Sequence, residues 1–186
     1  MSEFLIGVVA AALVNVRTLD GAPESETPER LKRAAMLGGL TAFVTLKACG
    51  VAYVLHYGVL SPLGLGAAWI PLCFLVTFAS AWAFGRLARN GAGTFAAFAE
   101  TYWPLVALNA AVFGAASHGL ATGAGFLGNI LTALAASALF AVTLAALTAI
   151  EARMDDDALP ESVRGFPSLL LAAALISMAL MAFAGL

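Results

Sequence analysis

Three polar side chains stand inside runs that are otherwise apolar: Asn15 in "AALVNVRT", Lys47 in "GGLTAFVTLKACGVAYVL" and Asn109 in "LVALNAAV". Such groups must find partners, because hydrocarbon supplies none. The chemistry open to them is binding and ion handling rather than bond-making. A carboxamide can orient a helix end or a polar ligand, and a lysine can carry a proton, hold an ion or pair with an acid. Lys47 costs ~2.5–3.5 kcal/mol to insert at the centre of a span. It reads as a proton or ion site, as the partner of an acid on another polypeptide, or as a side chain whose stem snorkels to water. With 12 residues of its apolar run before it, snorkelling is the hardest of these. Asn15, Asn109 and Lys47 together form a candidate midplane polar site, in which a structural role for the asparagines stands beside a substrate role.

The remaining reactive residues assemble into nothing. Cys49 and Cys73 lie in separate apolar runs with neither metal nor disulfide spacing, and read as small buried hydrophobes. His56 and His118 fall near span ends. "MDDDALPE" lacks the ligand spacing of an EF-hand. No phosphate loop, catalytic triad or metalloprotease motif occurs, so no catalytic, cofactor-binding or metal-ligating residue is assigned.

The elements that position these residues follow from composition. Of 186 residues 62% are hydrophobic and 11% charged, less than half the charge of a soluble domain, so this is an integral membrane protein. The net charge of −2 says nothing about nucleic acid, no basic cluster suggests it, and none is expected as a partner; the lipid bilayer is one. Six apolar segments stand at about 4–16, 35–60, 67–88, 102–118, 125–150 and 167–186, all without the period-2 alternation of a barrel strand. The first is the odd one. It stops after Val16, 13 residues in, where a span needs ~20. Its "MSEF" start lacks the positive region of a signal peptide, so it is expected to be retained. Pro104 and the Gly114–Ser117 stretch interrupt the fourth segment. Thr27 before Pro28 is expected to cap the second helix.

Eight of nine basic residues, all but Lys47, fall in the odd connections (Arg17, Arg30, Lys32, Arg33, Arg86, Arg89, Arg153, Arg164), which places those connections in the cytoplasm and both termini outside. Six spans divide into three and three, and an odd number per half makes the second half inverted. The expected fold is all-α: one membrane domain over 1–186, built of inverted repeats at about 1–93 and 94–186, with short or broken first and fourth helices.

The stretch "LPESVRGFPSLLLAAALISMALMAFAGL", with Pro160, Arg164–Gly165 and the Met181-to-Gly185 ending, resembles the C-terminus of the RnfA and NqrE membrane subunits of the Rnf and Nqr ion-translocating redox complexes. "WPLVALNAAVFG" and "LVN" at 13–15, followed by "AAMLGGLTAFVTL", carry the same likeness. The resemblance implies six spans whose first and fourth helices are half-helices meeting mid-membrane. It implies a partner of opposite topology, and a [2Fe–2S] cluster held by two cysteines from each of the two chains. Here Ala110 stands where one family cysteine is expected, and polar "RTLDGAPESETPER" replaces the segment carrying the other. A methyl group cannot replace a thiolate, so no cofactor is expected in this chain. Gly85 falls near an expected acid.

The expectation is a bacterial inner-membrane, multi-pass subunit of an ion-translocating electron-transport complex, lacking its own cluster and at most a non-catalytic part of the enzyme. Its partners would be the other redox subunits. The alternative is a small inverted-repeat secondary transporter or channel.

Overall fold

A computed structural model describes residues 2–19, 27–154 and 160–184. These contain seven α-helices and no strand: α1 (Ser2–Leu19), α2 (Thr27–Leu55), α3 (Trp69–Arg89), α4 (Thr94–Ala107), α5 (Ala110–Ala121), α6 (Gly125–Glu151) and α7 (Phe166–Ala184). A π-helical turn, His56–Leu60, prolongs α2, and a 3-10 turn, Gly66–Ala68, leads into α3. Four helical stretches are long and apolar enough to cross a membrane, and the bent pair α4–α5 would make a fifth. The apolar part of α1, Glu3–Val16, is shorter. At ~1.5 Å per residue it extends ~21 Å against a hydrocarbon core of ~30 Å.

The structure corrects several sequence boundaries. Only the apolar run ends at Val16: α1 itself stays helical through Leu19. Most of the polar stretch after Arg86 is helix rather than loop, for α4 begins at Thr94 and the connection shrinks to Asn90–Gly93. Gly93 takes φ +115°, a conformation closed to most side chains, and so permits that sharp reversal. Gly114–Ser117 does not interrupt anything; it lies within continuous α5. α2 begins at Thr27, directly before Pro28. Residues 20–26 and the aspartates 155–157 lie outside the described residues.

The chain divides into two compact units, Met1–Ala35 with Leu139–Leu186, and Met36–Ala138; α2 and α6 run from one into the other. In the first unit α1 packs on α7. Its buried stripe is Val8, Ala12, Asn15, Val16 and Leu19, spaced mostly three and four residues apart. Arg30 near the start of α2 reaches Glu151 at the end of α6, 4.0 Å away.

In the second unit α3 packs against α4 and α5. The buried face of α5 is built largely of small residues, Ala111, Ala115, Ala116 and Gly119. Close approach between small residues replaces the hydrophobic drive that lipid cannot supply. The outward positions are apolar as well, among them Leu75, Leu131, Leu134 and Val54, as a surface facing hydrocarbon requires.

Candidate functional site

The break between α4 and α5 has a local cause at each side. Pro104 has no N–H, so the turn before it loses a hydrogen bond and α4 is weakened at its end. Asn109 then opens α5 as its N-cap, with φ −74° and ψ 117°. Its Oδ1 accepts the Ala111 N–H at 2.9 Å, satisfying one of the donors that a helix start leaves open. The two helices meet at 60° across Leu108–Asn109. Asn109 is 4% exposed, and its Nδ2 has no hydrogen-bond partner among the described residues. Asn109→Ala should therefore lower stability by ~1 kcal/mol, the usual worth of a cap, while Asn109→Ser should restore most of it. Thermal unfolding of the purified chain in detergent measures both.

Asn15 behaves differently. It lies inside continuous α1, in the first unit, and marks no helix break. It is 3% exposed; its Nδ2 donates to the Ala11 carbonyl at 2.6 Å, and its Oδ1 has no partner among the described residues. Asn109 and Lys47 belong to the second unit.

Lys47 faces outward. The buried stripe of α2 runs Leu37, Leu40, Thr41, Val44, Ala48 and Ala52, and Lys47 lies off it, with Phe43, Val51 and Val54, on the exposed face. Two apolar grooves flank it. One, about 370 Å³, lies between α2 and α3 and is walled by Leu72, Leu75 and Ala79. The other, about 450 Å³, lies between α2 and α6 and is walled by Phe126 and Ile130. Asn109 lines neither groove.

Two features escaped the sequence reading. Asn129 on α6 is fully buried, and its Nδ2 donates to the Cys49 carbonyl on α2 at 2.7 Å. Its Oδ1 rests against Gly119 of α5, so one side chain ties together three helices. The signal was available: an asparagine within an apolar run, as at positions 15 and 109. The second feature is a polar recess of about 190 Å³ at the basic end of α3, lined by Trp82, Gly85, Arg86, Arg89 and Trp103. The Arg86 guanidinium lies 5.1 Å from the Trp82 ring centroid, and Arg89 Nε donates to Glu100 Oε1 at 3.1 Å.

Ala110 and the two cysteines bear on the iron–sulfur cluster that the resemblance implies. Ala110 is an exposed methyl at the first turn of α5, and Cys49 and Cys73 are free thiols fully buried among packed helices. Among the described residues no three His, Cys, Asp or Glu side chains converge. Gly85, near which the resemblance places an acid, is buried beneath the Trp103 ring.

No family model matches the chain. Individual proteins do, along its whole length. It is 26% identical over 183 residues to the A subunit of the Na(+)-translocating ferredoxin:NAD(+) oxidoreductase complex of Acetobacterium woodii, covering 96% of this chain and 95% of that one. It is 27% identical over 190 residues to the A subunit of the ion-translocating oxidoreductase complex of Azoarcus sp., covering 100% and 98%. The corresponding A subunit from Yersinia pseudotuberculosis is 29% identical over 191 residues, with the same coverage. Similarity over the full length, together with a multi-pass helical membrane architecture, leads to one conclusion: the chain is similar from end to end to the A subunits of Rnf-type ion-translocating oxidoreductase complexes.

Proposed function

We propose that this chain is a membrane component of an ion-translocating oxidoreductase complex, occupying the place of its RnfA-type subunit without holding a [2Fe–2S] cluster of its own. The observation that carries the reading is the end-to-end likeness to proteins named as the A subunits of such complexes. The chain supplies a membrane scaffold beside partners that hold the redox groups, and it does no bond-making itself. Its finer architecture is six spans in two inverted repeats, with α1 and the α4–α5 pair as the short and broken first and fourth spans. In support, the basic residues gather in the odd connections, as expected of a chain with both termini outside the bacterial inner membrane. The methyl group of Ala110, in place of a thiol, supports a cluster-free chain.

Iron content and EPR of the complex purified through this chain test the reading. The expected result is iron recovered with redox subunits and retained after Cys49→Ser and Cys73→Ser. Iron lost with either substitution would show that this chain does hold a cluster. A second reading, a small transporter or channel, is favoured by Lys47 standing at mid-depth without an electron path. It predicts a preparation free of both iron and partners, with uptake into liposomes that Lys47→Ala abolishes.

A further inference from the structure

We propose that Lys47 marks a heteromeric interface within the membrane, where it pairs with an aspartate or glutamate on a transmembrane helix of a different polypeptide. The inference rests on the reading of the chain as part of a complex, and deepens it by assigning the contact face.

Three observations converge on α2. Lys47 points out of the molecule, on a stripe with Phe43, Val51 and Val54. Along the helix it stands ~20 Å from Arg33 on one side and from Leu60 on the other, too deep for its stem to bring the ammonium to water easily. It also takes part in no ion pair among the described residues, whereas Arg30–Glu151, Arg33–Glu29 and Arg89–Glu100 pair at helix ends. A charge at that depth is stable when paired, and an outward-facing one can be paired only by another molecule.

The partner's chemistry follows from the acids this chain has. No aspartate or glutamate occurs between Glu29 and Glu100, between Glu100 and Glu151, or after Glu161. Glu29 and Glu151 sit at helix ends, and Glu100 is held by Arg89 at the end of α3. A second copy therefore has no mid-depth carboxylate to offer, and the partner is a different chain. The apolar grooves on both sides of Lys47, walled by Leu72, Leu75 and Ala79 and by Phe126 and Ile130, fit an apolar helix carrying one acid. Charge complementarity then fixes depth and register, as a single polar residue does between other packed helices.

The test uses the complex isolated in mild detergent from native membranes through a tag on this chain, with each co-recovered protein quantified per mole. Lys47→Arg is expected to behave as wild type. Lys47→Met and Lys47→Glu are expected to lose one membrane partner tenfold or more, while the chain's own yield and melting temperature hold, since the site is exposed. Changing the mid-span acid of that partner to lysine should restore its recovery with Lys47→Glu. Full recovery of every partner with Lys47→Met overturns the proposal, as does failure of the reciprocal exchange. A loss of ion translocation at unchanged partner recovery also overturns it, in favour of a lysine on an ion path. Redox subunits missing from the wild-type preparation overturn the complex reading instead; the exchange then decides the interface on whichever membrane protein is recovered, and a chain recovered alone overturns both.

Discussion

Gly119→Val should destabilise the protein by ~2–4 kcal/mol, more than removal of the polar group it faces. A Cβ at Gly119 falls on the Asn129 carboxamide oxygen, 3.0 Å from Cγ and 3.6 Å from the Cα of the same residue. The carboxamide cannot simply swing aside, because its Nδ2 is bound to the Cys49 carbonyl at 2.7 Å. Either that bond breaks or α5 moves away from α6. The magnitudes decide which loss dominates. Hydrogen bonds between membrane helices average ~0.6 kcal/mol and reach ~1.7, because partners are also found in the unfolded state. Overpacking a close contact costs ~1–3 kcal/mol. Asn129→Ala should then cost only ~1 kcal/mol. The double variant should be more stable than the two losses summed, since the alanine removes the atom the valine strikes. Unfolding of the purified chain in detergent gives all three values. A Gly119→Val protein that unfolds like wild type would show that α5 and α6 do not meet there.

Gly85 should be nearly as intolerant. An added Cβ would stand 2.5 Å from Trp103 Cγ, 2.6 Å from Cδ1 and 2.9 Å from Cβ. The indole is not free to yield, for the Phe78 ring packs edge-on at 6.2 Å between centroids. Gly85→Ala should cost ~1–3 kcal/mol by overpacking, and Gly85→Glu more, because it adds a carboxylate to an occupied, buried position. Trp103→Ala should rescue part of the Gly85→Ala loss, a coupling of ~0.5–3 kcal/mol in a double-mutant cycle. The result bears on function. Near the place where the family likeness implies an acid, this protein has closed the space with an aromatic ring. Additive losses in the cycle would mean that the ring and the glycine do not share that space.

What the sequence determined on its own was set by composition and by chain-local chemistry. Charge content and the lengths of the apolar runs specified a multi-pass helical membrane protein, since a bilayer admits helices of that length whatever their neighbours. The shortness of the first apolar helix and a break in the fourth segment were legible for the same reason, because Val16–Arg17 and Pro104 act on their own backbone. The likeness at "LPESVRGFPSLLL" and "WPLVALNAAVFG" also pointed to the subunits that the chain resembles from end to end. Tertiary structure decided which face of each helix lies inside. In water an amphipathic stripe reveals that face, whereas in a membrane the lipid-facing and the packed sides are equally apolar. The sequence therefore had no means of turning Lys47 outward, of joining Asn129 to Cys49 and Gly119, or of setting Trp103 over Gly85. Nor could it place the α4–α5 break at Leu108–Asn109 rather than at Gly114–Ser117. Small residues permit close packing as readily as they permit a kink, and only the neighbours of α5, which meet Ala111, Ala115 and Gly119, settle which occurs.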